Sequence, residues 1–208
     1  MIAAPMPRSY DAVMPHAIQA RPDKPPTRLL FTRAEFGRMS EAGVFEGRRV
    51  ELLEGEVIEM TPQGSRHASA VASIVTALVR ALSPSLSVRP QLPLALDDRS
   101  EPEPDVAVCR PDPRNFADSH PGPEHVVLLV EVADSSLPYD RDRKAGVYAR
   151  AGIPELWIVD LRERTAVVFT EPDRGRARYG REQRVAEGAD LVLPDGQSVR
   201  TSDLLPPA

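Results

Sequence analysis

The sequence contains few lysines, a single cysteine and no long apolar run. Lys24 and Lys144 are the only lysines among 26 basic residues, so a lysine inside an ordered segment calls for a chemical explanation. Cys109 is the single cysteine, which excludes an intrachain disulfide and fits a reducing compartment. No apolar run reaches the roughly 18 residues of a membrane span, and residues 1–20 lack the apolar core of a secretory signal. We therefore expect a soluble, cytoplasmic protein with no membrane partner.

Several enzyme signatures are also missing. The chain contains no Walker loop, no G-x-G-x-x-G fingerprint, no zinc-type Cys/His cluster and no G-x-S-x-G elbow. These absences argue against a nucleotide-binding protein, a zinc enzyme and a serine hydrolase. The net charge of −5 argues against a protein that coats DNA, because phosphate binding favours a basic surface, but it leaves room for a local basic groove.

The length and apolar content predict one folded domain. The chain has 208 residues, of which 41% are hydrophobic, and typical domains contain roughly 100–200 residues. Six prolines fall within residues 1–26, a density that disfavours regular structure. We predict a flexible proline-rich arm over residues 1–28 and a single domain over residues 29–208.

The hydrophobic pattern predicts an α/β fold. Helices are expected over residues 32–42, 66–82 and 139–151. Strands are expected over residues 50–53, 56–60, 86–96, 105–109, 126–132, 155–160 and 165–169, with the 86–96 strand interrupted by prolines. The pattern weakens after residue 171, where it predicts a short strand near 178–184 and a turn at 194–196.

Two carboxylates stand out as candidate metal ligands. Glu131 lies in the apolar run 126–132, and a carboxylate in a buried strand costs several kcal/mol unless it is paired, protonated or bound to metal. Asp105 opens the preceding strand, and neighbouring strands lie about 4.8 Å apart. A divalent cation such as Mg²⁺ would relieve the repulsion between them. Alternatively, Glu131 reaches solvent or pairs with an arginine, and Asp105 only starts its strand.

Lys144 and His67 are the next candidates. Lys144 shares the apolar face of its helix with Val147 and Tyr148, so its ammonium points toward the sheet and is placed to act beside a phosphate. The alternative is a solvated Asp140–Lys144 pair. His67 precedes the core face of its helix by one turn, where a packed, hydrogen-bonded histidine competes with a catalytic one.

The remaining polar candidates are weaker. Glu51 and Glu54 lie on the first hairpin and could each supply an oxygen ligand, although hairpin glutamates are usually surface residues. Packing accounts for Tyr148, Trp157 and Gln91.

Taken in order, these residues resemble the Uma-two-type restriction endonuclease family of the PD-(D/E)XK nuclease superfamily. The resemblance covers about residues 30–170 and rests on the segments 51–56, 101–106, 131–132 and 155–160, with Pro62, His67, Asp140, Lys144 and Tyr148 between them. It implies a restriction-endonuclease-like core, with a mixed central β-sheet flanked by helices, and Mg²⁺- or Mn²⁺-dependent hydrolysis of DNA.

The same resemblance implies roles for individual residues. Asp105 takes the place of the first acid and Glu131 that of the second. The superfamily's lysine would stand two residues later, where this chain has Ala133, and Lys144 fits the position from which this family supplies it. Glu51 matches an upstream acidic position, and His67 matches a histidine of unassigned role.

Two other functions remain open at this stage. The negative net charge and the missing in-line lysine favour a non-catalytic interaction module on a nuclease-like scaffold. An enzyme acting on RNA or a small nucleotide is a third hypothesis. A homodimer is plausible, since nucleases of this fold often pair to cut two strands.

Overall fold

The computed structural model describes residues 27–134 and 143–207 of the chain. Its centre is a six-stranded sheet with the order β3-β4-β5-β6-β7-β8, in which only β5 and β6 run parallel. The strands of this sheet are β3 (Ser87–Pro90), β4 (Val106–Cys109), β5 (Val126–Ala133), β6 (Glu155–Asp160), β7 (Thr165–Asp173) and β8 (Arg178–Ala186). The predicted mixed sheet is therefore confirmed.

In the described part of the chain, three helices and two hairpins surround this sheet. The helices are α1 (Arg33–Glu41), α2 (Ser65–Ala81) and α3 (Ala145–Ala151), and a 3-10 helix covers Thr201–Leu204. The hairpins are β1 (Val50–Leu53) with β2 (Glu56–Glu59) and β9 (Asp190–Val192) with β10 (Ser198–Arg200). A capping box of Thr32 and Glu35 starts α1, in which each side chain accepts a hydrogen bond from the other's backbone.

The sheet separates two apolar layers. Along β5, Leu128, Val130 and Val132 belong to the layer that contains the buried face of α2. The alternate residues Leu129 and Ala133 belong to the layer that contains α3. All of β5 is buried, as expected for a central strand covered on both faces. Glu131 alternates with the α2-facing residues, so its carboxylate lies on the side of α3.

The structure corrects the sequence interpretation at the third strand and near the C-terminus. The interrupted strand predicted over 86–96 is only four residues long, because Gln91 adopts φ 50° directly after Pro90 and turns the chain away from the sheet. The strands β9 and β10 were not predicted. The turn at 194–196 lies between them, and strand β8 extends to Ala186, two residues beyond its predicted end.

The predictions for residues 1–26 and for the start of the third helix, 139–142, lie outside the described residues. The described part of that helix, Ala145–Ala151, ends at Gly152, whose φ of 81° closes it with a left-handed cap. The division into an arm and a single domain stays a prediction.

Candidate active site

Asp105 and Glu131 meet at one end of β4 and β5. Val106 pairs with Val130 across the antiparallel strands, so the residue before one faces the residue after the other. The Asp105 amide donates to Glu131 Oε2 at 3.4 Å, and the Val132 amide donates to Asp105 Oδ2 at 2.8 Å. Both side chains are buried, at 8% and 3% exposure. The structure therefore brings the two predicted carboxylates together.

Lys144 completes a buried ion cluster with two glutamates. Its backbone has helical angles immediately before α3, and its side chain is only 5% exposed. The ammonium Nζ lies 3.3 Å from Glu131 Oε1 and 3.2 Å from Glu51 Oε2. The expectation that this lysine points toward the sheet is thus confirmed, whereas its alternative partner Asp140 lies outside the described residues.

Glu51 is buried, contrary to the usual exposure of hairpin glutamates. Strand β1 is covered because Leu52 forms a bridge with Glu101, which lays the segment before β4 along the hairpin. The Glu103 amide from this segment donates to Glu51 Oε2 at 3.2 Å. Glu54, three residues along, is exposed and pairs with Arg150 of α3. The hairpin therefore directs one glutamate inward and the other outward.

Tyr148 contributes more than packing, which corrects the sequence interpretation. Its hydroxyl donates to Glu131 Oε1 at 2.6 Å, and the residue is completely buried. A signal for this contact was present in the sequence. A buried tyrosine hydroxyl needs a polar partner, and Tyr148 lies one helical turn after Lys144 on the same face.

His67 lies on the other side of the carboxylate pair. Its Nε2 is 2.8 Å from Asp105 Oδ1, and the side chain is 17% exposed. It belongs to the first turn of α2, whose N-cap residue Gly64 provides no capping side chain and whose first turn holds no acid. The amides at this helix end therefore carry positive partial charge.

These residues share one cavity of about 380 Å³. Glu51, His67, Asp105, Glu131 and Lys144 all line it, whereas Glu54, the other candidate ligand on the first hairpin, does not. A larger groove of about 760 Å³ runs between α2 and the β9–β10 hairpin and holds none of these five residues. We place the candidate site in the smaller cavity because only its wall combines buried charges of both signs.

The residues of this cavity fit one divalent cation. The buried carboxylates of the cavity, Glu51, Asp105 and Glu131, face the single ammonium of Lys144 and leave two negative charges if His67 is neutral. Three further, more exposed carboxylates, Glu59, Glu103 and Asp134, also line the cavity, and the last two pair with arginines. Mg²⁺ binds proteins through one or two carboxylates and keeps several waters. Across residues 27–134 and 143–207, no group of three or more His, Cys, Asp or Glu side chains is arranged to hold a metal ion. Asp105 and Glu131 are the two carboxylates that would hold such a cation together with waters.

A second ion-pair cluster lies outside the cavity and fixes the approach to α3. Glu56 of β2 accepts hydrogen bonds from Arg143 at 2.5 Å and from Arg28 at 2.6 Å. The Arg143 hydrogen bond, followed by that of Arg28, holds the pKa of the Glu56 carboxyl below its ordinary value. Arg143 directly precedes Lys144, so this contact ties the lysine's backbone to the first hairpin.

The mixed sheet with helices on both of its faces has the restriction-endonuclease-like fold. The sequence matches the Uma2 family, described as "Putative restriction endonuclease", over residues 33–204. The chain belongs to this family.

A solved structure supports the fold independently. The chain is similar to a "putative nuclease belonging to DUF820" from Anabaena variabilis ATCC 29413, with a TM-score of 0.62 and 16% identity. The similarity covers 84% of this chain and 97% of that chain. No curated protein matches the sequence. Among the described residues, no helix is both long and apolar enough to cross a membrane.

Proposed function

We propose that this protein is a metal-dependent DNA endonuclease that hydrolyses phosphodiester bonds. The observation that carries the proposal is the buried pair Asp105 and Glu131, held side by side with the ammonium of Lys144 3.3 Å from Glu131. A buried group of excess negative charge is costly without a cation. Its position in an open cavity, within a family described as restriction endonucleases, supports a nuclease function.

Each residue has a role in this proposal. Asp105 and Glu131 would hold Mg²⁺ or Mn²⁺, which when bound lowers the pKa of a coordinated water and polarises the scissile phosphate. Lys144 offsets negative charge that develops on the phosphate during attack. His67 fixes Asp105 through its 2.8 Å hydrogen bond, and Glu51 fixes Lys144.

The rim of the cavity supports a phosphodiester substrate. The uncapped N-terminus of α2 opens onto it, and helix N-termini favour phosphate groups. Arg66 of the same turn is half-exposed and donates to the Leu161 carbonyl at 2.6 Å. Because the whole chain carries a net charge of −5, we expect weak DNA binding that salt abolishes readily. Homodimerisation and a cytoplasmic location stay predictions.

The direct test is nicking of supercoiled plasmid with Mg²⁺ or Mn²⁺. We expect wild-type cleavage that EDTA abolishes. Asp105→Asn and Glu131→Gln should each reduce the rate by roughly 100-fold or more, since loss of even an outer-shell partner costs 10–100-fold. The matched control is Asp118→Asn, an exposed carboxylate paired with Arg114, which should cleave like wild type. Equal residual activity in all four proteins would identify a contaminant and refute the proposal.

The position of the Lys144 ammonium favours a second candidate function, that of a non-catalytic interaction module. Lys144 already contacts both glutamates, so part of the buried charge is neutralised by the chain itself. This candidate predicts no heat of Mn²⁺ or Mg²⁺ binding and no DNA shift at low salt. Stoichiometric Mn²⁺ binding would exclude it. A panel of DNA, RNA and small cyclic or linear nucleotides separates the proposed substrate from other phosphodiesters.

A further inference from the structure

We infer that the site takes a single divalent cation and that the ammonium of Lys144 occupies the place of a second one. This inference rests on the proposed function and specifies how many metal ions that function uses. It concerns the three buried carboxylates, which divide into two pairs that share Glu131. One pair is Asp105 with Glu131, and the other is Glu51 with Glu131.

The second pair is bridged by a cation of the chain. Lys144 Nζ lies 3.2 Å from Glu51 Oε2 and 3.3 Å from Glu131 Oε1, and the side chains of all three residues are 5% exposed or less. A divalent ion placed between these two glutamates would have to share this space with a buried ammonium. Like charges that close repel strongly where water is excluded.

Hydrogen bonds direct the oxygens of Glu131 to different tasks. Oε1 accepts from the Tyr148 hydroxyl at 2.6 Å in addition to its contact with Lys144. Oε2 lies on the side of Asp105, whose amide is 3.4 Å away. One oxygen is thus engaged with α3, and the other is presented where the first pair would bind its metal.

The balance of buried charges also indicates one metal ion. Among the buried groups of the cavity, three carboxylates and one ammonium leave two negative charges with a neutral His67, which one divalent cation cancels and two would reverse. A net positive charge of that size in a buried cavity is unfavourable. The chain therefore provides for one metal ion, and Lys144 supplies the remaining positive charge from a fixed position on α3.

The test counts Mn²⁺ ions bound to the folded protein by calorimetry and by electron paramagnetic resonance of the unbound ion. We expect one ion per chain for wild type and for Lys144→Arg, which keeps the charge. Lys144→Ala should bind two, with the second ion at least tenfold weaker than the first. The control is Arg150→Ala, which removes an exposed cation from the same helix and should still bind one.

A second variant keeps the inference testable if Lys144→Ala does not fold. Glu51→Gln removes the carboxylate that Lys144 pairs with outside the proposed metal pair, and we expect it to bind one ion still. Two ions bound to wild type, with one lost in Glu51→Gln, would overturn the inference while leaving the proposed function intact. One ion in both wild type and a folded Lys144→Ala would overturn it in the same way. No ion bound to wild type would overturn both proposals.

Discussion

Two of the ion pairs between the first hairpin and the segment of Lys144 and α3 differ mainly in burial. Glu51 and Lys144 pair inside the cavity with side chains 2% and 5% exposed, whereas Glu54 and Arg150 pair at the surface with side chains 41% and 52% exposed. The outer pair contributes little to the stability of the protein, because water and salt screen it. The inner pair is interdependent, because neither charge can return to water without unfolding the site. The comparison indicates that burial, rather than the number of ion pairs, marks the functional region.

Removing the inner cation should have the largest effect on stability. Lys144→Met leaves Glu51 and Glu131 buried without their ammonium and should lower the free energy of unfolding by about 3–5 kcal/mol. Urea denaturation in EDTA measures this loss, and Arg150→Met serves as the matched control. A loss below that of the control would mean that the inner pair is as screened as the outer one.

Removing one hydroxyl should have an intermediate effect. Tyr148→Phe deletes the donor to Glu131 Oε1 and keeps the packed ring, so we expect a loss of about 1.5–3 kcal/mol, typical of hydrogen bonds to charged groups. Mn²⁺ affinity should fall by roughly 10–100-fold, as for other groups that orient a metal ligand.

Cleavage by this variant should recover at high Mn²⁺ with an unchanged KM for DNA. A purely structural role for Tyr148 predicts a lower melting temperature but unchanged Mn²⁺ affinity of the folded protein. That outcome would remove Tyr148 from the site.

Glu155 offers a partly buried carboxylate whose observed partner is neutral. Burial raises the pKa of its carboxyl above the ordinary 4.5, and the hydrogen bond from the Trp157 indole acts in the opposite direction. The protonated Glu155 carboxyl therefore contributes to the free energy of unfolding. This contribution is complete below about pH 4.5 and is lost as the pH rises through the folded-state pKa.

Glu155→Gln should remove the loss of stability that wild type shows as the pH rises. Between pH 4 and pH 7 the variant should gain stability relative to wild type, as measured by urea denaturation at each pH. The exposed Glu163→Gln is the control and should follow wild type. If the two variants show the same pH dependence, the burial of Glu155 has no measurable electrostatic effect.

Breaking the outer pair should have the smallest effect. Glu54→Gln should change the free energy of unfolding by about 0.2–1 kcal/mol, and the change should shrink further at 1 M salt. DNA cleavage should match wild type, because neither Glu54 nor Arg150 lines the cavity. A loss of cleavage would show that the outer pair positions α3, and it would weaken the contrast drawn above.

Much of the fold was predictable because its elements carry strong local patterns. The strand 155–160 and the helix near 66–82 have uninterrupted apolar patterns, and the structure places them within one residue of the predicted bounds. The strand predicted over 86–96 was wrong in length, since its end depends on the backbone turn at Gln91 and on burial of Leu94 and Leu96 against other segments. The short strands β9 and β10 have too few residues for periodicity to show.

The sequence by itself determined that Glu131 would need a partner, because a charged side chain inside an apolar strand has few stable solutions. Helical spacing placed Lys144 on one face with Val147 and Tyr148, but a solvated pair with Asp140 stayed open until the structure showed the lysine buried. Only the tertiary structure decided that Glu51 is inside rather than outside and that Tyr148 binds Glu131. Those contacts depend on how the hairpin and α3 pack against the sheet. The sequence signalled only that a buried Tyr148 hydroxyl would need a polar partner, and long-range packing decided which one.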